Sequence, residues 1–140
     1  MANEDLIIKT YNYWDLYLDE KQDPYFGSCY ARAKKETAKT IPSMLLDESS
    51  ELFNKVFPEW NKTIKELFRH DFPNLLSNGN PREKLKWYFI PMYESTRKIY
   101  GIDIMPQNIN GEYVSNIRKG IDGKILLEIR DRIREEILEF

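Results

Sequence analysis

The chain has 140 residues, of which 41% are hydrophobic and 14% aromatic, and its 21 basic and 23 acidic side chains leave a formal net charge of -2. That length suits one domain with a single core spanning residues 1–140, and the apolar content and near-balanced charge exclude both a disordered chain and bulk binding of nucleic acid through phosphates. Cys29 is the only cysteine, so no intramolecular disulfide or cysteine-rich metal site can form, and the start carries neither a basic flank nor a run approaching ~20 apolar residues; the expectation is a cytoplasmic protein without membrane attachment.

Residues 13–18 alternate, with Trp14, Leu16 and Leu18 on one face and Tyr13, Asp15 and Tyr17 on the other, which predicts a strand buried on the Trp14 side. Asp23-Pro24 and Gly27 mark a turn, and residues 28–34 read as the second strand of a hairpin. Ser49 or Ser50 is expected to cap a long helix whose apolar stripe runs through Leu52, Phe53, Val56, Phe57, Trp60, Ile64, Leu67 and Phe68. Pro58 lies inside it and predicts a kink or break near Val56 and Phe57, because proline displaces a backbone hydrogen bond. Phe72-Pro73 is expected to end the helical run.

Residues 74–77 form a short strand candidate, Asn78-Gly79-Asn80-Pro81 a turn, and residues 85–90 a further strand closed by Pro91. Residues 97–104 are expected to add an edge strand, and residues 106–123 a surface loop. Ile125, Ile129, Ile133 and Ile137 recur every four residues among charges, an amphipathic C-terminal helix with Asp122 as candidate N-cap. Strands, a long helix, more strands and a closing helix predict an α+β architecture with helices packed on an antiparallel sheet.

The run Asn74-Leu75-Leu76-Ser77-Asn78-Gly79-Asn80-Pro81-Arg82-Glu83-Lys84-Leu85-Lys86-Trp87-Tyr88-Phe89-Ile90-Pro91-Met92-Tyr93 resembles the histidine triad (HIT) proteins, in the branch related to dinucleoside polyphosphate hydrolases. There an Asn near the helix end precedes Gly-Asn, then His-x-His-x-His, two apolar residues and Pro-Arg-Tyr. In this chain the three histidine positions hold Lys84, Lys86 and Tyr88, and Met92 replaces the arginine, while Leu85, Trp87, Phe89, Ile90, Pro91 and Tyr93 keep the apolar and aromatic pattern. The Trp14 strand, the Gly27 turn, the long helix and the tail through Gly111 and Tyr113 follow in matching order. The resemblance implies a HIT-like antiparallel sheet with a long central helix and a C-terminal helix. It also implies a nucleotide or phosphate ligand near Asn74, Ser77, Asn80, Arg82, Lys84, Lys86 and Tyr88, and a homodimer.

In the family a histidine attacks the α-phosphate, which needs an unprotonated nucleophile and donors around developing negative charge. Lys86 stands at the nucleophile position, and a lysine serves there only if its amine is deprotonated, so the resemblance implies a catalytically degenerate binder. One alternative keeps hydrolysis or nucleotidyl transfer with Lys86 as nucleophile. Another is a protein-interaction module, favoured if aromatics fill the pocket. Lys84, Lys86, Arg82 and either Arg32 or Lys34 form a candidate phosphate cradle; read blandly, Lys84 and Lys86 are a solvated strand face, and Asn74, Ser77 and Asn80 are turn residues. His70, the only histidine, reads as a helix C-terminal cation or surface residue, since a lone imidazole is a poor metal ligand. No cofactor or metal is expected. Trp14, Trp60 and Trp87 are expected in the core.

Overall fold

Five strands form one antiparallel sheet in the order β1-β2-β3-β5-β4: β1 Ile7–Thr10, β2 Trp14–Leu18, β3 Cys29–Ala33, β4 Phe72–Asn78 and β5 Lys86–Met92. The computed structural model describes residues 3–35, 41–78, 83–104 and 117–138. Alternation dictates what each face carries. Trp14, Leu16 and Leu18 pair with Ala33, Ala31 and Cys29, and Ala31 and Cys29 pair in turn with Trp87 and Phe89. This is the buried, helix-facing side. The small β3 side chains make room there for the helix rings, so that Trp60 reaches within 5.3 Å of Phe89 and donates from Nε1 to the Gly27 carbonyl at 3.0 Å.

The helix runs as α1 (Leu46–Glu51), a π-helical turn (Leu52–Val56) and α2 (Phe57–Phe68), without interruption. Pro58 therefore does not break it. A proline has no N–H and its ring crowds the carbonyl four residues back, and the π turn just before it widens the backbone where that conflict falls. The expected serine cap is also corrected. Leu45 occupies the N-cap position, and the Glu48 carboxylate accepts from its backbone N–H at 2.7 Å, while Ser49 Oγ bonds back to the Leu46 carbonyl. Leu52, Val56, Trp60 and Ile64 are fully buried against the sheet; burying each such side chain contributes about 1.5–3 kcal/mol.

Gly27 (φ +100°) lies so close to α2 that a Cβ there would stand 2.8 Å from Ile64 Cγ2. Helix α3 (Gly123–Ile137) is capped by Asp122, whose carboxylate accepts from Lys124 N at 2.8 Å, and it packs against α2 and β1 through Leu126, Ile129, Ile133 and Ile137. The expected single edge strand is instead a separate hairpin, β6 (Arg97–Ile99) and β7 (Ile102–Ile104), closed by Tyr100 and Gly101, both at positive φ. That is the backbone of a two-residue primed turn. Strand β1, Ile-Ile-Lys-Thr, has no apolar-polar alternation to announce it, and its pairing with β2 shifts register between Ile7 and Lys9. The expected loop at 106–123 and the turn from Gly79 to Pro81 fall largely outside the described residues. Among the described residues no helix is long and apolar enough to cross a membrane.

Candidate functional site

The outer sheet face, away from the helix, collects the other half of the alternation. Tyr17 pairs with Tyr30, Tyr30 with Tyr88 and Arg32 with Lys86 across β2, β3 and β5. The rings form a row: Tyr17 and Tyr30 are stacked at 5.2 Å, and Tyr30 and Tyr88 are tilted at 5.7 Å. Two cations lie over this row. Lys86 Nζ is 5.3 Å from the Tyr30 ring centre, and the Arg32 guanidinium is 4.9 Å from that of Tyr17, whose hydroxyl it bonds at 2.8 Å. A cation over a ring face is attracted by its quadrupole. Burial pushes the Tyr30 phenol up to about 12 despite the opposing pull of Arg32, so it stays a neutral hydroxyl near pH 7. Burial likewise raises Tyr17.

Beside the tyrosines, Arg32, Glu83, Lys84 and Lys86 line an open hollow of about 310 Å³. Among the described residues three cations thus face one carboxylate, with Glu83 Oε2 4.0 Å from Lys86 Nζ. The strand register sets one side of this hollow by placing Arg32 opposite Lys86, and Lys84, just before β5, lines it as well. Of the two candidates on the hairpin, Arg32 joins the hollow and Lys34 does not, because Lys34 Nζ donates to the Tyr11 carbonyl and faces Asp15 at 3.8 Å.

The remaining site candidates divide. Tyr88 lies on the outer face and packs on a small cluster of Tyr25, Ile90 and Met92. Asn74, opposite Ile90, shares that face farther along β4. Ser77 lies opposite Trp87 on the helix side, its Oγ bonding the Lys86 carbonyl at 3.2 Å, so the register carries it away from Lys84 and Lys86. Asn80 and Arg82 fall outside the described residues. Tyr30 carried no signal in the sequence, yet it is the middle ring of the tyrosine row. Arg118 pairs with Asp19 at 3.1 Å and bonds the Lys21 carbonyl, and Lys119 bridges to Asp23, tying the tail to the β2–β3 connection.

His70 is a correction. It is buried at 1% exposure rather than on the surface, 5.8 Å from the Trp60 ring, with Nε2 2.8 Å from Asn61 Oδ1. Burial above all, then the neighbouring Lys65 charge, lowers its pKa to about 4, so it is neutral near pH 7 and cannot serve as a helix-end cation. Trp14 and Trp60 are in the core as expected, and Trp87 is half-buried edge-on to Phe53 at 5.4 Å. Among the described residues no three His, Cys, Asp or Glu side chains converge.

The same architecture recurs in solved proteins. A histidine triad protein from Bradyrhizobium japonicum superposes with a TM-score of 0.67, over 96% of this chain and 92% of its own, at 14% identity. The chain has the histidine triad fold. A hypothetical histidine triad nucleotide-binding protein from Sulfolobus tokodaii gives a TM-score of 0.67 at 19% identity, covering 96% of this chain and 84% of that one. The Plasmodium falciparum diadenosine triphosphate hydrolase gives 0.65 at 12% identity, covering 99% and 80%. No protein-family model matches the chain, and no curated protein matches it. The outer-facing residues of β5 are Lys86, Tyr88, Ile90 and Met92, and Lys84 lies two residues before the strand.

Proposed function

We propose that this chain is a catalytically degenerate HIT-like protein that holds a nucleotide or another phosphate-bearing ligand without cleaving it. The supporting observation is the hollow in which Lys84 and Lys86, two of the three positions that the resemblance matches to the triad, meet Arg32 of β3. Guanidinium and ammonium groups bind phosphate oxygens as fork and point charges. The covalent route asks for a lone pair at Lys86, whose Nζ instead rests 5.3 Å from the centre of the Tyr30 ring, a contact suited to a cation. No imidazole is available in its place, since the one histidine is buried among Trp60 and Asn61.

A ligand-free protein-interaction module is the second reading, and the tyrosine row favours it by covering part of the face. The rings floor the region beside the hollow and leave the cations lining it, which supports the binding reading over the interaction one. Self-association and a cytoplasmic setting belong to the proposal. Strand β4 is the last of the sheet and leaves one backbone edge for a second copy, which sedimentation over a range of concentrations tests. The functional test is paired: nucleoside mono-, di- and triphosphates should raise the melting temperature, as ligands that bind only the folded state do, and adenosine phosphoramidate and dinucleoside polyphosphates should not be turned over. Turnover that disappears in Lys86→Ala would replace the proposal with the lysine-nucleophile mechanism.

A further inference from the structure

A second hollow, about 340 Å³, lies where the end of α2, the β6–β7 hairpin and α3 meet, and among the described residues it shares no lining residue with the Lys84 and Lys86 hollow. Among the described residues four of its lining side chains are cations, Arg69, Arg97, Lys98 and Arg132, and none is acidic. In a chain of net charge -2 this is a pronounced local excess, and a concave surface of one sign concentrates ions of the other.

The four cations are not equally committed. Arg97 is held in place by the Phe68 and Arg69 carbonyls, by Asp71 at 3.1 Å and by the Tyr93 ring beneath it, and Lys98 faces Asp103 at 3.6 Å. Among the described residues Arg69 and Arg132 have no carboxylate within bridging distance; Arg132 bonds only the Tyr100 hydroxyl, at 3.1 Å. The floor between them is apolar, with the Phe68 and Tyr100 rings 6.4 Å apart.

The backbone supplies an independent observation. Among the described residues only two non-glycine residues have positive φ, Arg69 at 55° and Tyr100 at 52°, and both line this hollow. Each occupies a position where glycine is the cheap choice: Arg69 is the left-handed cap of α2, and Tyr100 is the first residue of the hairpin turn. Backbone strain of this kind clusters where a side chain is needed for something other than folding. Here the retained side chains are a guanidinium and an aromatic ring, facing one cavity.

We infer that this hollow binds a small organic oxyanion with an apolar body. The guanidinium groups of Arg69 and Arg132 take the anionic head, a phosphate or a carboxylate, both of which match the planar fork, and the Phe68 and Tyr100 rings take the body. Calorimetric titration of the full chain with phenyl phosphate, benzoate and inorganic phosphate tests this. At least one aryl anion should bind saturably, at least tenfold more tightly than inorganic phosphate, and whichever aryl anion binds better identifies the head group. Arg69→Gln with Arg132→Gln should weaken that binding at least tenfold, and Lys84→Ala with Lys86→Ala should leave it unchanged. Arg69→Gly, which keeps the backbone cap and removes the strain, serves as a second variant that folds and should also bind more weakly. Absence of saturable binding by either aryl anion, undiminished affinity in both arginine variants, or loss of binding in the double lysine variant would overturn the site.

Discussion

The buried His70 makes the stability of this protein depend on pH in a way that can be assigned to one side chain. Its imidazole is neutral in the folded protein, with a pKa lowered from 6.5 to about 4, because burial and then Lys65 disfavour the cation, with Arg97 adding to this and Asp71 opposing. Nδ1 has no partner among the described residues, so a proton added there would be a buried, unpaired charge. The folded pKa lies below the unfolded one, so the unfolded chain binds the proton first as pH falls. Stability from this group is complete above pH 6.5 and is lost progressively between 6.5 and 4. A displacement of this size corresponds to about 3 kcal/mol, at 1.36 kcal/mol per pH unit. Since the chain has one histidine, its imidazole proton signals in NMR belong to His70 alone and can be titrated directly. Urea unfolding from pH 7 to pH 4.5, in wild type and His70→Gln, separates this loss from that of the carboxylates. The wild type should lose stability more steeply than the variant. A titration midpoint near 6.5, or parallel pH slopes in the two proteins, would refute the burial argument.

Other consequences follow from individual contacts. Gly27→Ala should cost about 2–4 kcal/mol in chemical denaturation, because the added Cβ meets both an unfavourable φ and the Ile64 side chain 2.8 Å away. Glu59→Ala should cost about 2–3 kcal/mol, since its carboxylate holds Lys9 at 2.7 Å and the Tyr11 hydroxyl at 2.8 Å and both would be left unpaired. Arg69→Gly should leave stability unchanged or raise it by up to about 1 kcal/mol, the relief of left-handed strain being partly offset by the added freedom of the unfolded chain; a thermal melt reads the sign.

The parts of the fold visible in the sequence were those where one local signal decides the outcome. Trp14 to Leu18 alternates without interruption and is a strand over that span, and the four-residue recurrence of isoleucines from Ile125 gives α3, with Asp122 capping it. Where two signals compete, the sequence misleads. Pro58 suggested a break that the π turn absorbs, and the serines suggested a cap that Glu48 supplies from inside the helix. The hairpin turn was hidden because Tyr100 is not a residue expected at positive φ. The candidate site was legible only in part for a related reason. Period-two spacing puts Lys86 and Tyr88 on one face, but which residues meet them depends on register across strands distant in sequence, and that register chose Arg32 over Lys34 and turned Ser77 to the helix side. Burial of His70 likewise depends on Trp60 and Asn61 closing around it, which its place at a helix end does not reveal.

The most direct test of the central claim is to titrate the triphosphate nucleotide ATP into isotope-labelled protein and follow the backbone amide signals. If the cation-lined hollow on the outer sheet face is the ligand site, the saturable shifts should centre on Arg32, Lys84 and Lys86, weaken as salt is raised, and vanish in the Lys84→Ala, Lys86→Ala double variant, with ATP still intact at the end of the titration. Shifts that instead centre on Arg69 and Arg132, persist in the double variant, or accompany conversion of ATP to products would contradict it.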